Sequence, residues 1–342
     1  MGIFNWYHEP PKQRVDKSQA PRTLPSKAKG PLQIGGLPEA ARQRLSTQAA
    51  RQGTPEHLWT GNLSVNELLL TRQCGFVPLG QVMGTSVFQI GTQVRDGAWK
   101  NSFWKGESVG YELDILTNGF LQARSLALGR LEQEAELLGA TGVIGVQITQ
   151  RKTEWETGLL EFSVIGTAIR ETHLSQAPST PAGNPQLFLS ELSGQEYWQL
   201  RQAGFRPVGI AIGYCVYCQL SNATTQNIMG GGWFNRNNWR NVELTDFTEG
   251  LYAARSLTMR RMEDDALAVE AEGIVSVNVS TQIEVMETET TNNAGSNSDR
   301  NYRYHVQKML CHFSAIGTAI ESFAIPEAQS TPGLTVSLGS KI

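Results

Sequence analysis

LSVNELLLTRQCGFVPLGQVMGTSVFQ (63–89) lies over LSGQEYWQLRQAGFRPVGIAIGYCVYC (192–218) at a constant offset of 129. The alignment matches Glu67 with Glu196, Arg72-Gln73 with Arg201-Gln202, Gly75-Phe76 with Gly204-Phe205 and Gly84 with Gly213. Downstream, ARSLALGRLEQEAELLGATGVIGV (123–146) lies over ARSLTMRRMEDDALAVEAEGIVSV (254–277) at offset 131, and FSVIGTAI (162–169) over FSAIGTAI (313–320) at offset 151. Three collinear blocks at nearly constant spacing read as an internal duplication, the copies differing by two residues in one loop and twenty in another.

Each copy has the same grammar. Ser64-x-x-Glu67 and Ser193-x-x-Glu196 are capping-box patterns, each opening a short helix that Gly75 or Gly204 can close in a left-handed conformation. A strand follows, Val77–Ile90 or Pro207–Leu220, interrupted by Gly80 and Gly84 or by Gly209 and Gly213, where bulges or close packing are expected. After a Trp- and Gly-bearing excursion comes a central helix. It places Ala123, Leu126, Leu131, Ala135 and Leu138 on one face, or Ala254, Leu257, Met262, Ala266 and Val269. The β-branched runs after Gly142 and Gly273 read as buried strands, and a hairpin to a last strand ending Gly-Thr-Ala-Ile completes the unit. The fold class is α+β: a tandem duplication of a small domain with helices packed on a mostly antiparallel sheet.

Around the copies the composition changes. Residues 1–54 carry nine basic and three acidic side chains, a net of +6, which leaves −9 on the rest of a chain whose total is −3. Five prolines between 10 and 31 make 11–36 a linker by composition, with one short helix at 38–52 started by Pro38 and stopped by Gly53. The division is a basic tail 1–58, a first domain 59–173, a linker 174–188, a second domain 189–324 and a C-terminal tail 325–342. No run approaches the roughly 18 apolar residues of a membrane-spanning helix, and the N-terminal stretch lacks the apolar core of a signal peptide. Four cysteines in 342 residues make no disulfide framework, so a cytoplasmic protein is expected.

The string LGATGVIGV (138–146) after an amphipathic helix, a following strand ending GTAI and a preceding PLGQVMG (78–84) resemble the YbjQ-like family, often labelled heavy-metal-binding. The resemblance covers 60–172 and 190–323. It implies a small subunit of dodecin-like topology assembling into pentameric rings, with no assigned biochemical role. This chain departs from simple members by fusing two units, by long loops, and by Val269-Glu270-Ala271 where the first copy has Leu138-Gly139-Ala140. A family-type ring would hold ten units from five chains, or two unlike rings stacked.

Candidate chemistry is sparse. Cys215-Val-Tyr-Cys218 is the CxxC of the chain and the candidate site for a divalent or soft metal ion. Residues three apart on a strand face opposite ways, and no cysteine is matched in the other copy, so packing is the competing reading. None of the five histidines makes a zinc spacing, and His312, opposite Glu161, is expected to face solvent. Glu132, Glu134, Glu136, Glu263, Asp264 and Asp265 read as the solvated face of the central helices or partners of Arg130, Arg260 and Arg261. No GxSxG, P-loop or dinucleotide fingerprint is present, so no enzyme and no nucleic-acid partner is expected. Trp99, Phe103 and Trp104, with Trp233, Phe234 and Trp239, are candidate interface anchors. Ile3, Phe4, Trp6 and Tyr7 form an apolar tip on the basic tail, suited to docking on a partner protein or an anionic surface. The expectation is a non-enzymatic homo-oligomer forming a five-fold ring, with a metal- or small-ligand-binding protein as the alternative.

Overall fold

The computed structural model describes residues 36–55, 57–89, 109–152, 159–172, 187–229, 241–292 and 302–323. The aromatic anchors at 99, 103, 104, 233, 234 and 239 and the apolar tip at 3–7 lie outside these residues.

Helix α1 (Glu39–Ala50) precedes two similar runs of elements. The first is α2 (Val65–Gln73), β1 (Phe76–Gln89), β2 (Val109–Glu112), α3 (Asp114–Leu137), β3 (Gly142–Lys152) and β4 (Leu159–Glu171). The second is β5 (Phe188–Leu189), α4 (Gly194–Gln202), β6 (Phe205–Leu220), α5 (Ala223–Met229), α6 (Thr245–Ala268), β7 (Gly273–Asn292) and β8 (Tyr302–Ser322). Both capping boxes form: Ser64 and Ser193 each accept from the backbone N–H of the glutamate three residues on, which bonds back. Gly75 and Gly204 follow these helices at φ +81° and +82°, the left-handed stop expected of them.

Two four-stranded sheets result, in the orders β1-β4-β3-β5 and β2-β6-β8-β7. All pairings are antiparallel except β3 with β5. The register slips between Pro78 and Gly80 and again between Pro207 and Gly209, where each proline withholds a ladder N–H. Helix α3 packs across β1 and β4, and α6 across β6 and β8.

The helix faces differ from the expected stripe by one residue. Ala127 and Thr258 are buried, whereas Leu126 and Leu257 are only half-buried. The cause is the strand glycine opposite. A Cβ on Gly84 would sit 1.8 Å from the Ala127 carbonyl oxygen, and one on Gly213 would sit 1.9 Å from that of Thr258. Backbone meets backbone there, leaving room only for a small residue on the helix.

Gly84→Ala is therefore expected to destabilise the chain by about 1–3 kcal/mol, the usual range for overpacking. Gly129→Ala, on α3 with nothing within 4 Å of the added carbon, should stabilise it by about 0.5–1 kcal/mol. Urea unfolding midpoints of the two variants check both signs.

Candidate functional site at the seam between the sheets

The two halves exchange strands. Strand β2, from the first half, forms the outer edge of the second sheet, pairing Glu112 with Tyr217, Tyr111 with Cys218 and Gly110 with Gln219. In return β5 lies parallel to β3, and the chain beyond it continues the ladder: Ser190 donates to the Val143 carbonyl (2.9 Å), Val146 to that of Ser190 (3.0 Å) and Gly145 to that of Leu192 (2.9 Å). These bonds satisfy backbone groups that an open edge would leave to water.

Side chains close the seam over that framework. The Leu113 N–H donates to the Val216 carbonyl at 2.8 Å, and the Val216 N–H donates to Thr117 Oγ1 at 3.0 Å. The Phe120 ring stacks on Tyr214 at 4.5 Å, and the Tyr214 hydroxyl meets His312 Nδ1 at 2.9 Å. One hydrophobic cluster joins Leu113, Phe120 and Leu131 of the first half to Tyr214, Val216 and Cys218 of the second. Gly194, opening α4, packs directly on Glu67 and Thr71 of α2.

Charge crosses the seam twice. Arg261 of α6 holds Glu112 of β2 at 2.7 Å and donates to the Tyr214 carbonyl at 2.9 Å. Arg124 of α3 donates to the Ile212 carbonyl at 3.1 Å and lies 3.6 Å from Asp265. Burial works to raise the Glu112 carboxyl, but hydrogen bonds from Arg261 and Thr117, with the Arg261 charge, outweigh it and hold the group below its ordinary value. Between the halves lies a cavity of ≈ 330 Å³ whose lining includes Phe120, Arg124, Gln150, Tyr214, Gln282 and His312. The Arg124 Nε is buried with no hydrogen-bond partner among the described residues.

Several sequence expectations change here. Glu134 is not on a solvated face: it is buried, accepting from the Met83 N–H at 2.9 Å and from Arg44 of α1 at 2.9 Å. Asp265 likewise accepts from the Ile212 N–H at 3.0 Å. Arg130 turns to the carbonyls of Gly36 (3.2 Å) and Thr85 rather than to a helix carboxylate. His312 is half-buried against Tyr214 instead of facing solvent, because Phe120 from across the seam covers the pair. The signal available for these ties was pairing of acids at the repeat offset, since Glu134 and Asp265 stand 131 apart.

Cys215 and Cys218 are both buried, and the strand separates them. Cys218 joins the main core, while Cys215 lies beside Glu112 and Arg261. Burial pushes the Cys215 thiol up to about 12, with Glu112 adding to the rise and Arg261 opposing it, which disfavours the thiolate that a metal needs. Among the described residues no three His, Cys, Asp or Glu come together as a metal cluster. Among the same residues no helix is long and apolar enough to cross a membrane.

Two four-stranded sheets, each completed at one edge by a strand from the other half of the chain, define an α+β fold. A family described as "Putative heavy-metal-binding" matches residues 79–172. The chain is 35% identical over 246 residues to the encapsulin nanocompartment protein Rv1762c of Mycobacterium tuberculosis, covering 72% of this chain and 84% of that protein. It is 34% identical over 88 residues to a UPF0145 protein of Listeria grayi, covering 26% of this chain and 78% of the relative. A UPF0145 protein of Bifidobacterium longum is 31% identical over 114 residues, or 33% of this chain and 94% of the relative. The chain belongs to the YbjQ-like family. No solved structure matches it significantly.

The seam also carries a pH dependence. Burial pushes the Glu191 carboxyl, between β5 and α4, up to about 7. The folded state thus favours the proton, and this contribution, complete below the ordinary value of 4.5, is lost as the pH rises to about 7. Glu191→Gln should unfold at the same temperature as the parent at pH 4.5 and roughly 2–4 °C above it at pH 8, for a gain of about 1 kcal/mol. Thermal scans at the two pH values test this.

Proposed function

We propose that this chain is a non-enzymatic structural assembly protein. In this reading two tandem YbjQ-like units, 59–173 and 189–324, join with those of other copies in a closed ring, for which the family's five-fold symmetry is the starting expectation. The observation that carries the proposal is the seam, where β2 of one half completes the sheet of the other. The reciprocal exchange joins each half on one side and leaves β1 and β7 as the opposite outer strands of the two sheets among the described residues. The name of the Mycobacterium relative, an encapsulin nanocompartment protein, supports an assembly role. The aromatic residues Trp99, Phe103, Trp104, Trp233, Phe234 and Trp239 are assigned to contacts between units, and the basic tail with Ile3, Phe4, Trp6 and Tyr7 to a partner surface in the cytoplasm.

Native mass measurement of the full chain at micromolar concentration should give a discrete multiple of the single-chain mass. A monomer would overturn the proposal.

A second reading has one observation in its favour. The seam cavity of ≈ 330 Å³, with Arg124 Nε buried beside it and aromatic rings on its wall, has the size and lining of a small-ligand pocket. Gentle purification followed by denaturation should then release a small anionic molecule seen by mass spectrometry, and Arg124→Gln should release several-fold less.

A further inference from the structure

The seam is closed once inside the chain, and each of its halves has an unmatched counterpart elsewhere. On the donating side, Glu112-Leu113 and Thr117, which grip β6, recur at offset 131 as Glu243-Leu244 and Thr248. Arg124 recurs as Arg255. Among the described residues 241–244 pair with no strand, and Asn241, Val242, Glu243 and Arg255 are exposed. On the accepting side, β6 corresponds to β1, whose edge beyond Thr85 carries no strand among the described residues. Val216, covered by β2, is fully buried, whereas its counterpart Val87 is 71% exposed.

The other half of the seam shows the same asymmetry. Phe188 of β5 lies against Gly142, where an added Cβ would meet the ring at 2.2 Å. Among the described residues the counterpart Gly273 meets its own Ile320 alone, at 3.7 Å, and the counterpart of Leu187-Phe188 is Leu58-Trp59. Leu187 packs against the main core, while Leu58 is 85% exposed. Val146 is 3% exposed, and its counterpart Val277, on the outer strand β7, is 41% exposed.

The accepting face on the first sheet is partly filled by the chain's own N-terminal segment, with the same chemistry. Arg44 contacts Glu134 where the seam has Arg124 near Asp265, and the Gly36 carbonyl takes Arg130 where the seam has Glu112 on Arg261. The fit is loose: a cavity of ≈ 440 Å³ remains between α1 and the Gln81–Thr85 stretch of β1.

We infer that the β1 edge around Val87 is the docking surface for the 241–255 segment of a second copy of this chain, and that the β7 edge of that second copy receives in return the Leu58-Trp59 segment of the first. This rests on the assembly reading proposed above and assigns its contact. Glu243 and Arg255 of the incoming copy replace Gly36 and Arg44 at Arg130 and Glu134, so no buried charge is left unpaired during the exchange. The contact is head-to-tail, a geometry that closes into a ring when its rotation allows.

The template pairs Tyr111 with Cys218, which places Gln89 of one copy opposite Val242 of the next. In the full chain, Gln89→Cys with Val242→Cys should give a covalent ladder on oxidation that is absent from either single variant, because paired antiparallel strands hold Cα atoms about 5.5 Å apart, within disulfide reach. Arg44→Ala should form the ladder several-fold faster by freeing the seat, and an unchanged rate would overturn the exchange. Val87→Lys, at an exposed side chain, should reduce the particle to single chains whose far-ultraviolet circular dichroism matches that of the parent. A multi-chain native mass without the ladder would overturn this contact while leaving the assembly reading standing; a monomer without the ladder would remove both.

Discussion

The tightest constraint among the described residues is the approach of strand backbone to helix backbone at Gly84 and Gly213. With no side chain between them, α3 and α6 sit close enough to their strands for charged side chains to reach the strand's outer edge. On either side of Gly84, the Met83 N–H bonds to Glu134 and the Thr85 carbonyl accepts from Arg130. On either side of Gly213, the Ile212 N–H bonds to Asp265 and the Tyr214 carbonyl accepts from Arg261. The helix thereby occupies the middle of an edge strand that would otherwise invite pairing along its whole length, and only the end of the strand is left for another strand. A larger residue at the glycine would lift the helix and break these ties together.

That arrangement explains why the seam is where it is. Strand β2 pairs with β6 only beyond Val216, past the stretch already capped by Asp265 and Arg261, and the helix following β2 brings Thr117, Phe120 and Arg124 back over the capped part. Arg261 serves both jobs, holding its own strand's carbonyl and the Glu112 of the arriving strand. The burial of Glu112 is tolerable because a guanidinium and a hydroxyl meet it; without them, the cost of desolvating the carboxylate would fall on the seam.

What could be read from residues alone was mostly local. The capping boxes, the left-handed glycines after them, the strand runs and the central helices follow from patterns a few residues long, and all appear. The helix face was misjudged at Leu126 and Leu257 because leucine looks like core, while the deciding object was a glycine some forty residues away. The crossing of β2 could not be read, since four residues with no distinctive period give no strand signal and their partner lies in the other half of the chain. Glu134 and Asp265 looked like solvent-facing acids because each binds a strand N–H, which leaves no mark in composition, and an arginine from a distant element. The cysteines were legible only as unmatched by the repeat; that Cys215, Cys218 and Cys311 are buried follows from the strands that carry them.

Covalent fusion of the two halves changes how the first seam forms. Joined by one polypeptide, its partners meet at an effective concentration set by the connecting chain, of millimolar order for short flexible connections, rather than by the abundance of the protein. The strand exchange between β2 and β6 is therefore complete in every folded copy, however dilute. Any contact between copies must be reached by diffusion and obeys mass action. Where copies join in a closed ring, a chain that brings one finished joint halves the number of joints left to be made between copies for a given number of units, and a particle with an odd number of units is not available to it.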